Sequence, residues 1–349
     1  DFFLWKCKVV PSFGKMDLFL AKNHCMQSIE FYRSEFLSYL KEYTIDKEPV
    51  NLYEPVNYIL NLGGKRLRPV LTLLSAELFG GDYRKALNAA LAIEVFHNFS
   101  LVHDDIMDDA PLRRGKTTVH EKWDVNTGIL SGDAMLISAY RVLEGYEPLI
   151  FQKLSKLFSE TALKVCEGQQ YDIDFEIRED VTISEYLQMI EYKTAVLIGA
   201  ALQMGAITAG QPENVQSNIY RFGLHLGIAF QLQDDYLDAF GNPETFGKQI
   251  GGDIIENKKT YLYLKTLEGG TDIQKKELLD LYSIQPVDPT AKIQTIKELF
   301  VECGSADATS EAIREYSNSA FAILEKLPVS KEKRDILRQF GESLMVRKV

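Results

Sequence analysis

The chain has 349 residues, 46% of them hydrophobic and 26% charged, which suits a globular protein with a sizeable core. Its formal net charge of −11 argues against nucleic acid as a partner, because such binders need an excess of Lys and Arg to displace counterions. The same acidity leaves room for a small anionic ligand at a local basic cluster.

The opening "DFFLWKCKVV" has an apolar start broken by Lys6 and Lys8, so it makes a poor secretory signal. Residues 1–15 are expected to be a non-native or extension segment ahead of Met16. "LGGKRLRPVL" (62–71) places Lys65, Arg66 and Arg68 after a glycine pair at the expected start of a helix, where free backbone N–H groups favour an anion. "PVLTLLSAELF" (69–79) begins with a proline suited to a first helical turn and stops at Gly80-Gly81. "KALNAALAIEVFHNFSLVHDDIMDD" (85–109) predicts a long apolar helix ending before Pro111, followed by Arg113 and Arg114. "SGDAMLISAYRVLEGY" predicts the next helix, with Asp133 in its first turn. Segments 183–210 and 218–240 have the same helical period, and "SIQPVDPTAK" reads as a loop. Alternating strand patterns are scarce and no linker divides the chain. The reading is all-α, with one domain over 16–349. Four dispersed cysteines without a C-x-x-C pair suggest neither a disulfide framework nor a zinc site, and favour a reduced, cytoplasmic setting. No apolar run approaches the ~18 residues that span a bilayer.

Two clusters carry the chemistry. Asp104, Asp105 and Asp108 have the spacing D-D-x-x-D, and so do Asp234, Asp235 and Asp238 in "QLQDDYLDAFG". Residues four apart share a helix face. Both clusters fall near helix C-termini, where the dipole disfavours a carboxylate by roughly 0.3–1 kcal/mol. Two like charges ~4 Å apart add about 4 kcal/mol at an effective dielectric near 20. A solvated acidic helix end could explain one such cluster; two, each following an apolar helix, call for a cation. Oxygen-only ligands suit Mg²⁺, which prefers to be shared with phosphates. Arg113 and Arg114, Lys193 and Thr194 in "EYKTAVLIG", and Lys248, Lys258 and Lys259 in "FGKQIGGDIIENKKT" supply the matching cations and donors. Two anion sites beside long apolar helices suggest diphosphates with hydrocarbon tails, which need a deep dry tunnel.

"GGKRLRP", "HNFSLVHDDIMDDAPLRRGKTTVH", "EYKTAVLIGAA", "FQLQDDYLD" and "FGKQIGGDIIENKKTYL" together resemble, in order, the motif set of the trans-isoprenyl diphosphate synthases (polyprenyl synthetases) over about residues 50–265. The last ~80 residues carry no usable motif. The resemblance implies an all-helical bundle around a deep central cavity, the isoprenoid synthase fold, usually as a homodimer. It implies Mg²⁺, three ions per site with Mn²⁺ as a substitute, held mainly by Asp104, Asp108 and Asp234 with Asp105, Asp235 and Asp238 supporting. It implies that Arg113, Lys193, Thr194, Gln231, Lys248 and Lys258 contact an allylic diphosphate. Gly64, Lys65, Arg68, His97 and Arg114 would hold isopentenyl diphosphate. Ordinary helix-packing polarity could by itself explain Thr194 and Gln231. His97 precedes Asp104 by two turns on one face, and His103 is read as structural. Residues 246–260 are the expected lid.

The implied reaction condenses isopentenyl diphosphate with dimethylallyl, geranyl or farnesyl diphosphate. An aromatic shortly before the first cluster favours short products in the family. Phe99, with Ser100 beside it and Phe96 deeper, is expected to floor the tunnel below Asp104. The pattern looks most like producers of the C20 geranylgeranyl diphosphate, with C15 farnesyl diphosphate as the alternative. A class I terpene cyclase usually carries an Asn/Ser/Glu-type second metal motif, and a non-catalytic regulatory subunit typically has eroded aspartates; both clusters here are intact.

Overall fold

The structure, a computed structural model, describes residues 26–242 and 250–345. The expectation for residues 1–15 lies outside these.

The chain runs α1 (Ile29–Glu42), α2 (Val50–Asn61), α3 (Leu67–Leu78), a 3-10 turn (Tyr83–Ala86) and α4 (Leu87–Met107). A two-stranded hairpin, β1 (Leu112–Arg113) and β2 (Lys116–Thr117), leads into α5 (Val119–Lys122), α6 (Val125–Leu143) and α7 (Pro148–Ile177). Then come α8 (Ile183–Ile190), a π-helical turn (Glu191–Ala195), α9 (Val196–Thr208) and α10 (Glu213–Phe240). The remainder is α11 (Gly252–Ile255), α12 (Tyr261–Gly269), α13 (Asp272–Tyr282), α14 (Thr290–Glu302), α15 (Ser305–Leu324) and α16 (Lys331–Met345). The fold is all-α, as expected, with the hairpin as the sole sheet among the described residues.

Local chemistry sets the helix starts. Ser28 caps α1 by accepting from Phe31 N at 3.1 Å. Thr182 and Glu185 form a reciprocal capping box on α8. Asp124 caps α6 through Thr127 N, so that helix begins six residues before the expected Ser131, and Asp133 is interior to it. The expected 183–210 helix is broken into α8 and α9 by the π turn.

α9 is apolar almost all round because α3, α7 and α10 enclose it. Buried apolar side chains form two clusters. One gathers residues from α1–α4, α6, α7 and α9, and the other gathers residues from α8, α12, α14 and α15. α10 joins them, giving Ile219, Phe222 and Leu226 to the first and Ile228 and Leu232 to the second. The C-terminal region, which carries no motif, supports this spine. α15 packs along α10, and Gln233 Nε2 donates to Met345 O at 2.6 Å. The helix ends bearing the aspartates are thus mounted on rigid elements.

Candidate active site

Both aspartate clusters open into one cavity of about 910 Å³. Asp104 lies on the α4 face shared by His97 and Leu101, and all three line the cavity. From α10, Gln231, Asp234, Asp235 and Asp238 line it as well. Asp104 of the first cluster and all three aspartates of the second thus line one space, while Asp105 and Asp108 are not among its lining residues.

The members of each cluster differ. Asp104 stands between two cations, with Arg113 Nη2 at 3.7 Å from Oδ2 and Lys193 Nζ at 3.5 Å from Oδ1. Asp105 is fully buried and turned from the cavity; Arg113 holds its Oδ1, with Nε at 2.8 Å. Asp108 caps the C-terminus of α4, where burial, then Asp104, pushes its carboxyl up to about 6. Asp235 accepts from Tyr186 OH and from Gln231 Nε2 at 3.0 Å, while burial and Asp253 raise its pKa strongly. It acts as an anchor for Gln231, whose Oε1 accepts from Thr194 Oγ1 at 3.2 Å. Asp238 Oδ2 accepts from Asp253 N at 3.0 Å, tying α10 to α11.

The cations are equally crowded. Gly63 and Gly64 have φ of 83° and 119°, and a Cβ at Gly64 would stand 2.8 Å from the Arg114 guanidinium carbon. The glycine there makes room for Arg114, which donates to Gly63 O. Arg114 and Gly115, at φ 55° and 73°, form the two-residue turn of the hairpin, with both angles positive as such turns require. Arg68 Nη1 lies 3.2 Å from His97 Nε2, and burial with Arg114 nearby pushes Arg68 down to about 10. Burial, then Arg68, Arg114, Arg113 and Arg66, holds His97 well below its ordinary value, so it is neutral. Lys65 is exposed and precedes α3. Arg66 departs from the expected anion cluster: it is buried, ion-paired with Glu94, and donates to Leu60 O.

Lys193 and Thr194 lie in the π turn, a feature that often marks functional sites. Gly168 of α7 abuts that turn, and a Cβ there would stand 2.2 Å from Lys193 N. Lys193 Nζ pairs with Asp172 at 2.5 Å; burial lowers its pKa, but Asp172 and Asp104 outweigh that and hold it raised. Asp172 and Tyr186 line the cavity and had no motif to announce them, and Asp253, inside the "FGKQIGGDIIENKKTYL" segment, lines it as well. Lys258 lines it too, 2.9 Å from Glu256. Lys259 is anchored on Phe175 O and Glu176 O at 2.8 and 3.1 Å. Lys248 and part of the expected lid lie outside the described residues.

Phe99 is not among the residues that line the cavity. It is turned off the Asp104 face, packing on Phe96 at 5.4 Å and His103 at 4.8 Å between ring centroids, and Phe96 packs on Phe158. Helix geometry explains it, since five residues rotate a side chain by about 140°. Ser100 sits one turn below Asp104 and bonds His97 O at 2.9 Å. His103 is structural, within 3.1 Å of Ile129 O.

A polyprenyl synthetase family model matches residues 49–300. The chain belongs to the polyprenyl synthetase family. A geranylgeranyl pyrophosphate synthase of Geoglobus acetivorans is 40% identical over 311 residues, 88% of this chain and 94% of that one. A geranylfarnesyl diphosphate synthase of Natronomonas pharaonis is 38% identical over 86% of this chain and 91% of its own length. A crystal structure of a geranylgeranyl pyrophosphate synthase superposes with a TM-score of 0.89 at 55% identity, covering 93% of this chain and all of that one. Polyprenyl synthetases are generally Mg²⁺-dependent, and the oxygen donors here suit that ion. Asp104 Oδ1 is buried without a hydrogen bond, and the clustered carboxyls are crowded and desolvated. Among the described residues no helix of this polyprenyl synthetase is long and apolar enough to cross a membrane.

Proposed function

We propose that the chain is a Mg²⁺-dependent prenyltransferase that condenses isopentenyl diphosphate with an allylic diphosphate, giving the C20 geranylgeranyl diphosphate as its main product. The observation that carries this reading is the single cavity lined by both aspartate clusters and by Arg68, Arg113, Arg114, Lys193 and Lys258. One aspartate cluster with one cation set would suit a cyclase; two anion sites suit a condensation.

Asp104, Asp108, Asp234 and Asp238 would hold the metal, with three ions per site and Mn²⁺ as a substitute. Bound there, Mg²⁺ supplies positive charge against the diphosphate leaving group. Asp105 and Asp235 position their partners Arg113 and Gln231. Arg113, held by Asp105, and Lys193, held by Asp172, both flank Asp104 and would stabilise the charge the allylic diphosphate gains as its C–O bond breaks. Lys65, Arg68, Arg114 and neutral His97 orient isopentenyl diphosphate, whose double bond attacks the allylic carbocation. The departed diphosphate, close and anionic, takes the proton. Leu101, Met189, Ile190 and Phe230 give the cavity apolar wall that keeps water from the cation.

The growing chain descends toward the aromatic wall of Phe99, Phe96 and Phe158. Relatives named for geranylgeranyl and for the longer geranylfarnesyl product match similarly, so small changes at such a floor would set length. The exposed apolar face of α6 and α7, including Leu130, Ile137 and Leu163, is covered by a second copy in a homodimer. The setting is cytoplasmic, consistent with free Cys166 and Cys303.

Incubating the purified chain with isopentenyl diphosphate and each allylic starter, then chromatographing the products, tests the reading. A C20 prenyl diphosphate is expected. Consumption of an allylic diphosphate alone would make it a cyclase, no turnover would make it a regulatory subunit, and a C15 end product would shift the length assignment.

A further inference from the structure

The run D-D-I-M-D-D contains a fourth carboxylate, Asp109, that the cavity does not use. Asp109 has a positive φ of 48° and sits at one end of the β1–β2 hairpin, and His120 and Glu121 sit at the other. Thr118 closes the hairpin base, with its N donating to Pro111 O at 3.2 Å and its Oγ1 to Ala110 O at 2.8 Å. One ligand atom from each of Asp109, His120 and Glu121 falls within 4.8 Å of the other two.

The imidazole makes this more than a pair of surface carboxylates. The His120 side chain is only 4% exposed, and neither of its ring nitrogens makes a hydrogen bond. Nε2 stands 3.8 Å from Glu121 Oε1, too far for one. A buried imidazole with both nitrogens unsatisfied is costly unless something fills the gap. Asp105 Oδ2, the oxygen that Arg113 leaves free, is also buried without a partner.

We propose that Asp109, His120 and Glu121 form a site for one divalent ion of the Zn²⁺ or Co²⁺ class, separate from the Mg²⁺ site in the cavity, which fastens together the two ends of the hairpin carrying Arg113 and Arg114. An imidazole with two carboxylates suits a borderline transition ion, whereas Mg²⁺ takes oxygen alone. Tetrahedral ligands at zinc distances lie about 3.4 Å apart, and rotation of the exposed Asp109 and Glu121 side chains closes the remainder. This inference stands whether or not the chain is a prenyltransferase.

The test is Co²⁺ binding to the full chain, followed by equilibrium dialysis and visible absorption, with excess Mg²⁺ present to occupy the cavity aspartates and no diphosphate, which would itself chelate Co²⁺. One Co²⁺ per chain is expected, displaced by stoichiometric Zn²⁺. Asp109→Asn and Glu121→Gln change exposed groups and should weaken binding at least about tenfold. Zn²⁺ should raise the thermal midpoint of the wild type and not of Glu121→Gln. Equal Co²⁺ binding by wild type and Glu121→Gln, or none by the wild type, overturns the proposal.

Discussion

Gly168→Ala is a sharp test of how the fold positions Lys193. The added Cβ would lie 2.2 Å from Lys193 N, 2.7 Å from its Cα and 2.7 Å from the Tyr192 carbonyl carbon. All three are backbone atoms and cannot swing aside. Ordinary contact begins near 3.4 Å, so α7 and the π turn must separate by about 1 Å. Overpacking of this kind costs about 1–3 kcal/mol of stability, which a domain of this size can survive. The larger effect is on chemistry, because a displacement of about 1 Å at a positioning group can lower turnover on the order of 100-fold. Steady-state kinetics with isopentenyl and allylic diphosphates should show kcat falling in a protein that remains folded by circular dichroism. In a Lys193→Ala background the same change should cost much less, since its target is gone. Wild-type turnover by Gly168→Ala, or an undiminished loss in the double variant, would refute the reasoning.

Three further outcomes are expected. His97 is held below 6.5 when folded but takes up a proton near that pH when unfolded, so its contribution to stability is complete above about 6.5 and declines as pH falls, by up to about 1.4 kcal/mol per unit. Thermal unfolding from pH 7.5 to 5.5 should show a shallower decline in His97→Gln than in wild type; identical slopes contradict the assignment. Phe99→Ala should lengthen the product at a cost of about 3–5 kcal/mol in stability, and an unchanged chromatogram from folded protein removes Phe99 from that role. Sedimentation should give a dimer that Leu130→Glu with Leu163→Glu converts to monomer; a wild-type monomer contradicts the α6–α7 interface.

The sequence displayed the catalytic skeleton because its signals are local. Apolar residues at helical spacing, with D-D-x-x-D at two helix ends, required only the 3.6-residue period to place Asp104 below one wall of a cavity and Asp234 on another. Tertiary partners were not visible in that way. Asp172 comes from the last two turns of α7 and Tyr186 from α8, and neither has a neighbouring residue that marks it. The π turn at 191–195 lacks a sequence signature, so one long helix was the natural reading. Arg66 and Arg68 are two residues apart and so on opposite sides of the chain, which is why one reaches Glu94 and the other His97. Phe99 is five residues before Asp104, so helix rotation, not visible in closeness along the sequence, sets it off the Asp104 face. The early start of α6 was hidden because Asp124 is an N-cap whose signal lies ahead of the apolar period.

The central claim is that the two acidic clusters hold one metal-bound diphosphate between them, and ligand-dependent unfolding tests it most directly. Thermal midpoints would be measured for wild type, Asp104→Ala and Asp234→Ala with Mg²⁺ alone, inorganic pyrophosphate alone, and both together. The account expects a large joint stabilisation of the wild type, about 2.7 kcal/mol at a hundredfold excess over the dissociation constant, and its loss when either aspartate is removed. Full retention of that stabilisation by either variant, or the same stabilisation from pyrophosphate without metal, would contradict it.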